Sequence, residues 1–89
     1  MDISDWRKKI DSIDSQVIAL LSERASYAVE IGKIKREMGL PIFDASREDE
    51  VLTALVQQNP GPLSDTSIRR IFQTLMEETR VTEAAHAED

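Results

Sequence analysis

Arg24 and Lys35 are two cations placed eleven residues apart in the segment SERASYAVEIGKIK, with Ala28 and Gly32 between them. In an α-helix, eleven residues bring two side chains back to nearly the same face, about 16 Å apart along the axis. The two small residues leave a gap on that face. A cation at each end of the gap suits a ligand that is negatively charged at both ends, so the spacing predicts an anion clamp.

The same small residues have a second interpretation, in which they allow another helix to approach closely. A glycine inside a helix costs about 1 kcal/mol relative to alanine, so Gly32 needs a reason of one kind or the other. In the packing interpretation, Arg24 and Lys35 extend their charged ends to solvent at the edges of the contact. The spacing alone leaves both interpretations open.

The composition limits the partners and the chemistry. The net charge of −6 and the pI near 4.7 argue against nucleic acid or an anionic membrane, because both need a positive field. Residues 1–38 hold seven Lys/Arg and seven Asp/Glu, whereas residues 39–89 hold four and ten, so an anion site must be local. The chain has no cysteine, and its one histidine, His86, lies near the C-terminus, so neither a metal nor another cofactor is predicted.

Size and hydropathy predict a single cytoplasmic domain over residues 1–89. A monomer of this size buries only about 60 to 65% of its unfolded surface, which favours oligomerisation. No apolar run approaches the roughly 18 residues of a membrane span. The N-terminal segment MDISDWRKKIDSID also lacks the apolar core of a signal peptide.

A continuous 3-4 spacing of apolar residues predicts one long first helix, from about Ser4 to Met38. Ser4 is the predicted N-cap with Asp5 in the first turn, and Gly39 ends the helix. Eleven positions form the stripe, and all but Arg24 are apolar: Ile3, Trp6, Ile10, Ile13, Val17, Leu20, Arg24, Tyr27, Ile31, Ile34 and Met38.

The length of this helix predicts a second copy of the chain. A helix of about 35 residues is roughly 50 Å long, about twice the diameter of a compact domain of this size. One protomer cannot cover its apolar stripe, so the stripe must meet another chain. A two-fold homodimer, in which the long helices run antiparallel or cross, is the simplest solution.

A second and a third helix complete a predicted all-α fold with three helices per chain. The second is capped by Asp44 or Ser46 and runs to about Gln58, after which the segment NPGPLSD breaks the chain. The third helix is capped by Ser64 or Asp65.

The third helix is predicted to run to about Ala85, with an inner face that changes from apolar to polar along its length. The residues of that face are Ile68, Ile71, Phe72, Leu75, Met76, Thr79, Thr82 and Glu83. Polar groups therefore end an apolar face on this helix, as Arg24 interrupts the stripe on the first.

Three segments together resemble the three helices of the all-helical AroQ class of chorismate mutases. They read WRKKIDSIDSQVIALLSERASYAVEIGKIK, PIFDASREDEVL and IRRIFQTLMEETRVTE, and they cover nearly the whole chain. The specific part of the match is an ordered set of six residues: Arg7, Arg24, Lys35, Asp44, Arg47 and Glu48.

The resemblance implies an intertwined homodimer with two identical sites, each of which converts chorismate to prephenate on the route to phenylalanine and tyrosine. The residues agree with such chemistry. Chorismate is a dicarboxylate, and its rearrangement is a unimolecular pericyclic shift that requires no nucleophile, metal or redox cofactor. A chain without cysteine and with one terminal histidine can support it.

The resemblance assigns roles to the cations of the first helix. Arg24 would pair with a substrate carboxylate through two donors. Lys35 would donate to the ether oxygen, where negative charge grows as the C–O bond breaks. Arg7 lies seventeen residues from Arg24, about 25 Å along the helix and on a different face, so the second protomer of the dimer must supply it to the site.

The same resemblance places four more residues in the substrate site. Asp44 and Glu48, one turn apart, would accept from the ring hydroxyl, and Arg47 would add positive potential near a carboxylate. Thr79 stands where the family usually has a small hydroxyl residue, and it would help to hold a carboxylate. Helix capping by Asp44 and back-bonding of Thr79 to its own helix stay open as ordinary explanations.

Glu83 departs from the family pattern, because many bacterial members carry a glutamine there that donates to the ether oxygen beside the lysine. An ionised Glu83 would oppose the developing charge, so it can help only when protonated. Lys35 nearby favours the ionised form, whereas burial favours the protonated form. The sequence therefore predicts activity that falls as the pH rises.

Two other functions stay open on sequence grounds. An isochorismate pyruvate-lyase resembles this family in fold and in its cationic site, and the Asp44/Glu48 pair favours the mutase over it. The alternative from a different class is a weakly active helical module that depends on a partner, such as an earlier enzyme of the shikimate pathway.

Overall fold

The computed structural model describes residues 1–86 of the chain, which form three α-helices joined by two short connections. Helix α1 spans Ile3–Met38, α2 spans Ala45–Gln57 and α3 spans Asp65–His86. The predicted all-α fold with one very long helix is confirmed. The long axis of the molecule measures 54 Å, as expected for 36 helical residues at about 1.5 Å each.

The cap of helix α1 lies two residues before the predicted one. The N-cap is Asp2 and not Ser4: the Asp2 side chain accepts from the backbone N–H of Asp5, and the Asp5 side chain accepts from the backbone N–H of Asp2. This reciprocal pair satisfies two N–H groups that a helix start leaves free, which a lone serine does not. At the other end, Gly39 adopts a left-handed conformation with φ of 69°, as predicted for a glycine that ends a helix.

Side chains also determine where α2 and α3 begin. Asp44, and not Ser46, is the cap of α2, because its side chain accepts from the backbone N–H of Arg47 at 3.0 Å. Ser64 plays the same part for α3, where its hydroxyl accepts from the backbone N–H of Ser67 at 3.1 Å. Both choices fall within the pairs that the sequence allowed.

Helix α3 joins the other two helices, because it packs against α2 on one side and against the C-terminal half of α1 on another. Ala28 and Gly32 of α1, Leu52 of α2, and Met76 and Glu83 of α3 are the buried residues of the described chain. Glu83 is the one charged member of this set. The small core is therefore not wholly apolar, because one of its five residues carries a carboxyl group.

The N-terminal half of α1 packs against no other element among residues 1–86, and residues 6–20 are all exposed. The radius of gyration is 16.0 Å, against about 12 Å for a compact domain of this length. Exposed large side chains run along α1 from end to end: Ile3, Trp6, Ile10, Ile13, Val17, Ile18, Leu20, Tyr27, Ile31, Ile34 and Met38. Within residues 1–86, none of the helices is long and apolar enough to cross a membrane.

Candidate active site

A cavity of about 380 Å³ lies between the three helices, beside the small core. Its wall combines apolar and charged side chains from every helix and from the connection between α1 and α2. The lining residues are Arg24, Tyr27, Ala28, Ile31, Lys35, Ile42, Asp44, Arg47, Glu48, Val51, Met76, Thr79, Arg80 and Glu83. Seven of the eight predicted site residues are among them.

Arg24 reaches from α1 across to α3. Its Nη1 donates a hydrogen bond to Thr79 Oγ1 at 2.6 Å, and this hydroxyl donates in turn to the backbone carbonyl of Leu75 at 2.7 Å. Thr79 is therefore back-bonded to its own helix and also bound to the arginine. The chain of two bonds fixes the guanidinium at the cavity wall, with further N–H donors left for a ligand.

Lys35 approaches the cavity from the last turn of α1. Its Nζ donates to the backbone carbonyl of Ile42 at 2.8 Å and lies 3.9 Å from Glu83 Oε2. The lysine side chain is 21% exposed and the Glu83 side chain only 9%, so this ion pair is mostly shielded from water. The hydrogen bond to Ile42 also ties the end of α1 to the connection that follows it.

The two cations converge on the cavity. Their backbones are about 16 Å apart along α1, yet Thr79 and Glu83, which they contact, are only about 6 Å apart along α3. The long side chains of Arg24 and Lys35 bridge most of the difference between these two separations. The arrangement presents a guanidinium and an ammonium to one small volume, as the sequence spacing suggested for an anion clamp.

The pKa of Glu83 is raised above its ordinary value, chiefly because burial disfavours the charged carboxylate. The charges of Lys35 and Arg24 oppose this effect, and that of Glu48 adds to it. Among the described residues, Glu83 Oε2 has no hydrogen-bond partner although it is buried. A proton on this oxygen would remove the buried charge and turn the oxygen into a hydrogen-bond donor at the cavity wall.

The gap above Ala28 and Gly32 serves two purposes. Ala28 lines the cavity, as predicted. Gly32, in contrast, packs against α3: a Cβ atom at position 32 would lie 3.3 Å from Glu83 Cβ and 3.6 Å from Glu83 Cα. The packing interpretation is therefore right for Gly32, whereas Ala28 borders the open space that the clamp interpretation requires, because α3 crosses the face of α1 between the two cations.

The N-terminal turn of α2 supplies the acidic side of the cavity. Asp44 caps the helix and lines the cavity at the same time. Glu48 accepts from Arg80 Nη1 with both carboxylate oxygens, at 2.6 Å for Oε1. Arg47 is 69% exposed, with Glu50 Oε2 at 3.7 Å from its Nη1, so its side chain lies at the solvent rim of the cavity.

Two residues mark the limits of the sequence-based assignment. Arg7 does not line the cavity and lies on the exposed N-terminal half of α1, far from Arg24 within the same chain. Arg80 lines the cavity but was not predicted. Helical spacing contains the signal, since Arg80 follows buried Met76 by four residues and precedes buried Glu83 by three, which places all three on one face of α3.

The sequence and the fold match a known family. The sequence model described as "Chorismate mutase type II" matches residues 6–84 of the chain. The chain belongs to the chorismate mutase type II family. A solved chorismate mutase (form II) from Thermus thermophilus superposes with a TM-score of 0.90 at 38% identity, over 92% of this chain and 93% of that one.

Members of the chorismate mutase type II family with similar sequences differ in length. A chorismate mutase of Methanocaldococcus jannaschii is 32% identical over 88 residues, which make up 98% of this chain and 89% of that protein. A bifunctional chorismate mutase/prephenate dehydratase of Neisseria gonorrhoeae is 38% identical over 77 residues, or 86% of this chain. The match covers 21% of the bifunctional protein, so the chain spans about a fifth of its length.

We expect Gly32→Ala to reduce turnover in the reaction proposed below about tenfold with little change in stability. The added methyl gains about 1 kcal/mol of helix propensity but pushes the Glu83 backbone outward by a few tenths of an ångström. Because the obstructing atoms are backbone and Cβ, rotation of the Glu83 side chain cannot relieve the contact. Denaturant unfolding and steady-state kinetics measure the two effects. Higher stability at unchanged turnover would contradict the proposed dependence of the site on this contact.

Proposed function

We propose that this chain is a chorismate mutase, which rearranges chorismate to prephenate. The observation that carries the proposal is the convergence of Arg24 and Lys35 on Thr79 and Glu83 at one wall of the cavity. The substrate is a dicarboxylate, and the reaction breaks a C–O bond and forms a C–C bond within one molecule. Such a reaction depends on a cavity of complementary shape and charge more than on a reactive group.

Arg24 is the carboxylate clamp in this proposal. Its guanidinium is already oriented by the hydrogen bond to Thr79, so little side-chain freedom remains to be lost when the substrate binds. The Thr79 hydroxyl lies beside the same carboxylate position. Arg47, at the rim of the cavity, adds positive potential where the dianion enters.

Lys35 and Glu83 act on the breaking bond. Negative charge develops on the ether oxygen in the transition state, and an ammonium already held by the Ile42 carbonyl stabilises that charge more than it stabilises the ground state. Protonated Glu83 is the second donor to the same oxygen. Its unpartnered Oε2, 3.9 Å from Lys35 Nζ, is the atom that would carry the proton.

The expected magnitudes require more than these two donors. A 10⁶-fold acceleration corresponds to about 8 kcal/mol, and removal of one well-placed donor costs roughly 3 to 4 kcal/mol in other enzymes. Orientation supplies the remainder. Holding both carboxylates, with Asp44 and Glu48 accepting from the ring hydroxyl, selects the conformer in which the reacting carbons meet.

The proposal includes a homodimer in which the partner's Arg7 completes each site. The apolar stripe of α1 is exposed along its whole length in one chain, and a second copy is the simplest cover. An antiparallel pairing about the middle of α1 would set the partner's Arg7 opposite Ile34, next to Lys35. That register supports a role for Arg7 at the substrate's second carboxylate.

The assay that tests the function is chorismate consumption with identification of the product, at pH 5 and pH 8. We expect prephenate, formed faster at pH 5. A raised pKa means that Glu83 holds its proton to a higher pH than an ordinary glutamate and loses the donor as the pH rises through that pKa. Pyruvate released from isochorismate, with chorismate left unchanged, would instead identify a lyase.

The matched control for the pH effect is Glu83→Gln. Glutamine donates at every pH, so this variant should show a flat profile between pH 5 and pH 8, with a rate at pH 8 above that of the wild type. Equal wild-type rates at the two pH values would rule out a rate that depends on loss of the Glu83 proton between pH 5 and pH 8, while leaving the mutase assignment intact.

Arg24→Ala should lower kcat as well as raise KM. The arginine orients the substrate for reaction and does not only hold it, so its loss affects the transition state more than the bound ground state. Steady-state kinetics separate the two constants. A change confined to KM would contradict the orienting role.

Mixing two inactive variants tests the origin of Arg7. If the partner supplies it, co-refolding Arg7→Ala with Arg24→Ala gives heterodimers in which one of the two sites is complete. Random assembly then restores about a quarter of the wild-type activity. The control mixture is Arg24→Ala with Lys35→Ala, which places one defect in each site of the heterodimer and should restore nothing. Absence of recovery in the first mixture would show that Arg7 does not act across the dimer.

A further inference from the structure

Arg80 is a cation of the cavity wall that has no part in the clamp formed by Arg24 and Lys35. Its Nη1 donates to both carboxylate oxygens of Glu48 on α2, and its guanidinium carbon lies 4.6 Å from the centre of the Phe43 ring. The side chains of Arg80 and Glu48 are 31% and 24% exposed, so the pair is partly shielded from water. Arg80 therefore joins α3 to both α2 and the preceding connection.

These contacts define the position of Glu48 closely. A carboxylate that receives two hydrogen bonds from one guanidinium is restricted in rotation as well as in place. The Phe43 ring restricts the guanidinium in turn, since a planar cation stacks on an aromatic face. The Glu48 carboxylate is thus held in one orientation at the cavity wall before any ligand arrives.

The pair also changes the charge that a ligand meets. Asp44, Glu48 and Glu83 all line a cavity proposed to bind a dianion, and each negative charge opposes that binding. Arg80 neutralises the Glu48 charge at close range. Glu48 also contributes to the raised pKa of Glu83, so the pair lies within electrostatic reach of the proposed reaction centre.

We propose that Arg80 is a positioning residue, which orients Glu48 for the substrate hydroxyl and cancels its charge toward the dianion, without itself binding the substrate. This inference rests on the proposed mutase function. It predicts that the kinetic effects of substituting Arg80 and Glu48 are coupled.

A double-mutant cycle on kcat/KM tests the inference with four proteins: wild type, Arg80→Gln, Glu48→Gln and the double variant. We expect Arg80→Gln to lower kcat/KM about tenfold or more, mainly by raising KM, because an unpaired carboxylate then repels the substrate. In the Glu48→Gln background, the same substitution should lower kcat/KM by a clearly smaller factor, because only the charge of Arg80 is then lost and not the orientation of Glu48. Arg80→Lys, which keeps the charge but loses the planar group that stacks on Phe43, should recover part of the loss.

Arg69→Gln is the matched control, since it removes an arginine from an exposed position of the same helix, outside the cavity lining. It should leave both kinetic constants unchanged, and circular dichroism melting checks that each variant is folded. Equal losses from Arg80→Gln in both Glu48 backgrounds would overturn the inference, because additivity means that Arg80 acts on the substrate independently of Glu48. An unaltered KM in the single variant would overturn it as well.

The cycle separates this inference from the function on which it rests. A wild type that forms prephenate, combined with additive effects, refutes only the positioning role of Arg80. A wild type that forms none refutes the proposed function, and the inference with it.

Discussion

The contact between α1 and α3 at Gly32 is the constraint on which the rest of the site depends. Without a side chain at position 32, the backbone of Glu83 lies so close to α1 that even a methyl group would be crowded. This close approach brings the polar end of α3 within reach of both cations of α1. One turn earlier, Ala28 is small enough to leave space and large enough to form a wall, so the cavity begins where the helix contact ends.

The cations at the cavity are held in place by the fold. Arg24 is bound to Thr79, Lys35 to the Ile42 carbonyl and Arg80 to Glu48. Folding thus supplies the orientation that binding would otherwise have to impose, and the entropy is lost in advance. Four Lys/Arg and three Asp/Glu side chains line the cavity, so cations slightly outnumber acids there in a chain with a net charge of −6.

Burial of Glu83 makes the stability of the fold depend on pH. An acid whose pKa is raised in the folded state binds its proton more tightly there than in the unfolded chain. Its favourable contribution to stability is therefore complete at low pH and is lost as the pH rises through the raised pKa. Lys35 and Arg24 reduce this loss without removing it, because burial is the largest cause of the shift.

The sequence was sufficient to predict the helices, because apolar spacing, capping residues and Gly39 all act locally. The cap of α1 was misassigned, since Asp2 and Ser4 are both capable caps and only the reciprocal bond with Asp5 distinguishes them. Arg80 was missed because an arginine on a helix is usually solvated, and its pairing with Glu48 depends on how α2 meets α3. Gly32 and Ala28 looked equivalent in sequence, and the crossing point of α3 separates their roles.

The exposed half of α1 has a thermodynamic consequence. If a second copy covers the stripe, folding and association become one equilibrium, and the stability of the fold depends on protein concentration. Each tenfold dilution would then lower the free energy of unfolding of the dimer by about 1.4 kcal/mol. Expression level would set not only how much catalyst is present but also what fraction of it is folded.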